Sequence, residues 1–199
     1  MEGFTKRQVE IINASVKIMR RKGLRALTTK NLAKALKVTE PAIYRHFESK
    51  TDILLGILTY LETNIRRNST KAMESNDPAI EKMESLYLHF FKGLAKAPAL
   101  ATAIFSEEQF QDDKRLAAKI LEIMHETRQA ILQIIEEGVQ RKEIRKDIPK
   151  EQMALIIMGS MRFLVTTWRI ENLGFDLSER GKQTWDSLRI LLRGYQEYP

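Results

Sequence analysis

Apolar residues recur every three or four positions along nearly all of this 199-residue chain, and capping residues with Gly, Pro or Asx punctuation separate the periodic runs. No stretch of useful length alternates apolar with polar residues, so the pattern predicts an all-α fold. Helices are expected over residues 5–21, 28–36, 39–47, 49–73, 79–96, 99–111, 114–141, 150–170 and 178–196. Thr5 with Gln8 and Ser49 with Asp52 have capping-box spacing, and Gly23 suits the residue that closes the first helix. Thr39 is placed to cap the third helix, and Pro41 falls in its first turn, where a missing N–H costs little. Asn76, Asp77 and Pro78 break the chain. Residues 1–50 then form an N-terminal domain, the helix over 49–73 connects, and residues 75–199 form a second helical domain.

Composition narrows the chemistry. With 43% apolar and 30% charged residues the chain can bury a core, which excludes disorder as its main state. Cysteine is absent, excluding disulfides, thiolate zinc sites, Fe–S clusters and cysteine nucleophiles. His89 and His125 are far apart, and His125-Glu126-Thr127-Arg128 lacks the second histidine of a zinc-protease motif. No Gly-rich phosphate loop or nucleophile elbow is present, so no catalytic residue, metal site or cofactor is expected and the chain reads as a non-enzyme. The longest apolar stretch, 153–161, is about half the length of a membrane span and is closed by Arg162, so no transmembrane helix or membrane partner is expected. The first residues lack a secretory signal, and the expected location is cytoplasmic.

Positive charge is confined to one end. Residues 1–50 carry 12 Lys and Arg against 4 Asp and Glu, whereas the remaining 149 carry 21 against 22. A basic module gains free energy by releasing counterions from phosphates, and a near-neutral one does not. The same 50 residues hold two short helices joined by about three residues, a helix-turn-helix arrangement in which Leu32, Ala33, Val38, Ile43 and Phe47 pack inward.

Gly23-Leu24-Arg25-Ala26-Leu27-Thr28-Thr29-Lys30-Asn31-Leu32-Ala33, followed by Val38-Thr39-Glu40-Pro41-Ala42-Ile43-Tyr44-Arg45-His46-Phe47-Glu48-Ser49-Lys50, resembles the DNA-binding signature of the TetR family of one-component bacterial regulators. The resemblance covers about the first 60 residues at motif level, and the chain length and helical remainder also fit that family. Lys37 departs from it, because the family usually has Gly in the turn; a left-handed conformation there costs a non-Gly residue roughly 1 kcal/mol. The resemblance implies that Thr28 caps the second helix and reaches a phosphate, with Lys30 over the backbone nearby. Thr39, Glu40, Pro41 and Ala42 are implied at the tip of the recognition helix near base edges, Tyr44 and His46 at phosphate-contacting positions, and Lys50 as a further phosphate clamp. Glu40 is unusual on a face turned to DNA: it either accepts from a cytosine amino group or favours the helix N-terminus.

In the second domain Met83, Tyr87, Phe90, Phe91, Phe105, Phe110 and Met124 are read as core or as lining of a pocket. The resemblance implies a small-molecule effector among these helices, hydrophobic or amphipathic if the pocket is mostly apolar. Arg162 stands in an apolar run and is expected to pair with a carboxylate or to bind an acidic ligand. Met153, Ile157, Met161, Leu164, Val165 and Trp168, with Trp185, Leu188, Leu192 and Tyr195 on the last helix, form broad apolar surfaces. The resemblance implies that these make a four-helix interface with a second copy, and a two-fold dimer suits the reading of a palindrome. The implied protein is a homodimeric transcriptional regulator, a repressor of operator DNA released by its effector. Readings of other classes are an architectural or cell-division DNA-binding protein without an effector, and an all-α enzyme with an incidental basic end.

Overall fold

The computed structural model describes residues 3–96, Pro98, Ala101 and 113–193. Its regular elements are α1 (Lys6–Lys22), a 3-10 turn (Leu24–Ala26), α2 (Thr29–Leu36), α3 (Glu40–Tyr44), α4 (Lys50–Glu74), α5 (Ala79–Lys96), α6 (Lys114–Gln140), α7 (Lys150–Ile170) and α8 (Leu177–Arg193). All are helical, as the apolar spacing predicts. The helix expected over 99–111 lies outside the described residues, as do Phe105, Phe110 and Tyr195.

The chain divides into two compact units, residues 1–64 with 97–123, and residues 65–96 with 124–199. The boundaries fall within α4 and α6. In the first unit, α1 starts at a full capping box, with Thr5 Oγ accepting from Gln8 N and Gln8 Oε1 accepting from Thr5 N. Ile11, Ile12 and Met19 of α1, Leu32 and Ala33 of α2, Ile43 and Phe47 around α3, and Ile53, Leu54, Ile57 and Leu58 of α4 form one core. Leu116 and Ile120 of α6 join it, a long-range contribution that periodicity along α6 does not announce. Gly56 allows the close approach of α4, since a Cβ there would lie 3.1 Å from the Phe47 ring and 3.3 Å from Ile12 Cδ1.

In the second unit the core runs from Ile80, Met83, Tyr87 and Phe91 of α5 through Ile131, Ile134 and Ile135 of α6 to the inner faces of α7 and α8. Tyr87 packs edge-on to Phe91 at 5.0 Å between centroids and tilted against Trp185 at 5.5 Å. Ser160 donates its proton to the Ile157 carbonyl at 2.7 Å, so the Tyr87 hydroxyl is the donor in its 2.8 Å bond to Ser160 Oγ.

One expectation is corrected here. The residues read as a surface for a second copy, Met153, Ile157, Met161, Leu164, Val165, Trp168, Trp185, Leu188 and Leu192, are buried within the chain itself. The periodicity identified the inner stripe of each helix, while the outer face of α7 is apolar too, with Phe163 70% exposed and Leu155, Ile156 and Ile170 also exposed, and α8 exposes Ile190 and Leu191 near its end among charged residues. Arg162 of α7 is exposed. By length and composition α7 is long and apolar enough to cross a membrane, as the core helix of a soluble protein also can be.

Candidate nucleic-acid interface

The local chemistry of residues 23–50 explains the placement of the short helices. Gly23 closes α1 at φ 76°, its N–H donating to the Met19 carbonyl at 2.9 Å. Thr28 then caps α2, its Oγ1 accepting from Asn31 N at 3.2 Å. The Asn31 side chain donates to the Ala26 carbonyl at 2.8 Å and fastens the preceding turn to α2. At the other end Lys37 adopts φ 55°, ψ 46°, the left-handed conformation expected where the family has Gly. Val38 N donates to the Ala33 carbonyl at 3.0 Å, so the turn between α2 and α3 is held by backbone bonds.

Thr39 occupies the N-cap of α3, but its hydroxyl makes no cap bond. Pro41 has no N–H to offer, and Ala42 N donates to the Thr39 carbonyl at 3.1 Å instead. The hydroxyl is left for other partners. The helix is also shorter than expected, ending at Tyr44 rather than Phe47. His46 N and Phe47 N both donate to the Ile43 carbonyl, which folds the chain under so that Phe47 enters the core and Ser49 can cap α4. Ser49 Oγ accepts from Asp52 N at 3.1 Å, and Asp52 receives Arg115 of α6 at 2.9 Å.

The sequence-predicted contact residues share one property. Thr28, Lys30, Thr39, Glu40, Pro41, Tyr44 and Lys50 are exposed, and Ala42 and His46 are half-buried, all on the first unit. The residues between them, Ile43 and Phe47, are buried and hold α3 against α2 and α4. No ion pair engages Lys30, Lys37 or Lys50 among the described residues, whereas cations further along the chain, such as Lys82, Arg115, Lys119 and Lys150, are paired. A contact that the sequence reading missed is long-range: Thr29 Oγ1 donates to Glu40 Oε2 at 2.7 Å, joining the first residues of α2 and α3. Eleven residues separate the pair, and neither capping nor periodicity signals it. Of the pocket residues named from the sequence, Met83, Tyr87 and Phe91 are core, Phe90 is half-buried and Met124 is exposed. Burial pushes the Tyr87 hydroxyl above its ordinary pKa, partly offset by its bond to Ser160.

Residues 11–57 match the family model for bacterial regulatory proteins of the tetR family, and residues 60–192 match the model for the C-terminal region of YsiA-like proteins. The chain belongs to the TetR family. It is a DNA-binding transcriptional regulator, of a family that dimerises. Among known proteins it is 26% identical to the fatty acid metabolism regulator protein of Bacillus subtilis over 169 residues, 85% of this chain and 87% of that protein. It is 24% identical to the nucleoid occlusion factor SlmA of Aliivibrio fischeri over 156 residues, 78% of this chain and 80% of that protein. The crystal structure of the FadR regulator of B. subtilis with stearoyl-CoA matches with a TM-score of 0.76 at 26% identity, covering 90% of this chain and 96% of that one.

Proposed function

We propose that this TetR-family protein is a repressor that binds a palindromic operator as a homodimer and is released by an amphipathic long-chain acyl compound. What supports the DNA reading most is the surface of the first unit, where unpaired cations and short polar side chains surround a recognition helix pinned from behind by Ile43 and Phe47. In this reading Thr28, Lys30, Tyr44, His46 and Lys50 grip phosphates and fix the register, and Thr39, Glu40, Pro41 and Ala42 meet base edges. A helix tip of small side chains tests groove shape and thymine methyls.

The second copy covers the outer faces of α7 and α8. Leu155, Phe163 and Ile170 of α7 and Ile190 and Leu191 of α8 are exposed large apolar side chains, which a second copy would bury. What supports the effector class is the stearoyl-CoA bound by the B. subtilis relative. Effector binding favours a spacing of reading heads that no longer suits successive major grooves, with α4 as the lever.

Selection of bound duplexes from a random pool, followed by addition of stearoyl-CoA, tests both parts. The expected result is a recovered palindrome whose complex dissociates with stearoyl-CoA but not with coenzyme A alone. A pool without two-fold symmetry overturns the dimeric operator reading, and an unchanged complex overturns the acyl effector. Similarity to SlmA favours a second reading, a DNA-binding cell-division factor without an effector. Occupancy at many dispersed chromosomal sites rather than a few promoters decides for it.

A further inference from the structure

Between Glu10 and Glu48 the chain carries nine Lys and Arg and a single acidic residue, Glu40. That carboxylate is exposed, and among the described residues no cation lies within ion-pair distance of it. Among the described residues it accepts from the Thr29 hydroxyl at 2.7 Å, which holds it over the first turn of α2, beside the capping Thr28. The bland explanation, stabilisation of its own helix N-terminus, is weak because α3 has only five residues and little dipole to answer. A negative charge here faces the end of α2 where free backbone N–H groups receive a phosphate.

We infer that Glu40 is a selectivity residue of the DNA-binding unit: held by Thr29, it repels the phosphate backbone, and at a cognate site it turns to accept from a cytosine amino group. The inference rests on the DNA-binding reading above. Sequence-independent binding is electrostatic throughout, so a carboxylate at the phosphate-facing end weakens it at every site. At a cognate site the same carboxylate gains a hydrogen bond from cytosine N4 and frees the Thr29 hydroxyl for a phosphate oxygen, which offsets the repulsion. The ratio of cognate to mixed-sequence affinity rises without any added attraction to DNA as such.

Glu40→Gln keeps the size of the side chain and an acceptor for Thr29 while removing the charge. Binding of the full-length variant to a labelled mixed-sequence duplex at low salt is expected to tighten by about threefold per half-site, the effect of one unit charge near a phosphate in water, and the gain is expected to vanish as salt rises. Sequences selected by the native protein are expected to carry cytosine at the position facing the tip of α3, and those selected by Glu40→Gln to lose that preference. The melting temperature of both proteins is measured alongside. A variant with changed melting temperature but unchanged mixed-sequence affinity and unchanged selected sequences makes Glu40 a tether between α2 and α3 and overturns the inference. Absence of duplex binding by the native protein instead overturns the DNA reading beneath it.

Discussion

Lys82 offers a sharp test of how the second unit is held. Its side chain is 2% exposed, and its ammonium lies 2.9 and 3.0 Å from the two carboxylate oxygens of Glu137 and 3.4 Å from the Met73 carbonyl. Glu137 is 26% exposed and has a second cation, Arg141, at 2.9 Å. The two partners are therefore unequal. Glu137→Gln leaves a buried ammonium with only neutral acceptors, and one-sided disruption of a buried pair costs about 3–5 kcal/mol. Water at the partly exposed carboxylate lowers this to about 3 kcal/mol. Lys82→Met removes the charge, retains most of the volume and leaves Glu137 with Arg141, for a cost of about 1 kcal/mol. Urea unfolding at fixed protein concentration is expected to separate the variants by about 2 kcal/mol, roughly 4–8 °C in melting temperature for a chain of this size. If Glu137→Gln costs no more than Lys82→Met, the ammonium is solvated in a way its geometry denies, and the reasoning fails.

Three further outcomes follow from particular residues. Lys37→Gly removes left-handed strain at φ 55° and is expected to raise stability by about 0.5–1 kcal/mol in urea unfolding; a loss of stability refutes strain at the turn. Lys50→Ala is expected to lower the slope of log affinity against log salt by about 0.9 per protomer, equally for all duplexes, and an unchanged slope removes Lys50 from the interface. Phe163→Asp combined with Ile190→Asp is expected to yield a helical 23.1 kDa species by sedimentation, whereas a persistent dimer places the interface elsewhere.

The helix inventory was legible because each signal is local. A cap, an apolar stripe and a breaker act within a few residues of one another, as at Thr5 with Gln8, Ser49 with Asp52, and Asp77 with Pro78. Core membership in the DNA-binding unit was legible for the same reason, since Leu32, Ala33, Ile43 and Phe47 face inward at helical spacing. Which apolar face of α7 and α8 looks inward was not. α7 is apolar on both sides, so spacing alone does not say which side packs inside the chain, and α8 exposes Ile190 and Leu191 beside its buried stripe. The Thr29–Glu40 bond and the entry of Leu116 and Ile120 into the first core depend on how elements meet in space, and no spacing rule within one helix encodes that.

The distribution of ion pairs strengthens the assignment of the DNA surface beyond what net charge provides. After residue 50 the chain is near neutral, with 21 Lys and Arg against 22 Asp and Glu, and Arg66, Lys82, Arg115, Lys119, Arg141, Arg145, Lys150 and Arg189 each have a carboxylate partner. In the first 50 residues, Arg7 pairs with Glu10, but no ion pair engages Lys17, Arg21, Lys22, Arg25, Lys30, Lys34, Lys37 or Lys50 among the described residues. A folded domain gains little from exposed cations that repel one another, since each added like charge disfavours the compact state. Phosphates supply the compensation that the chain itself withholds, and the release of their counterions makes that compensation depend steeply on salt. In the reading proposed above, Glu40, held by the Thr29 hydroxyl and by none of these cations, keeps a strongly basic surface from binding every duplex alike.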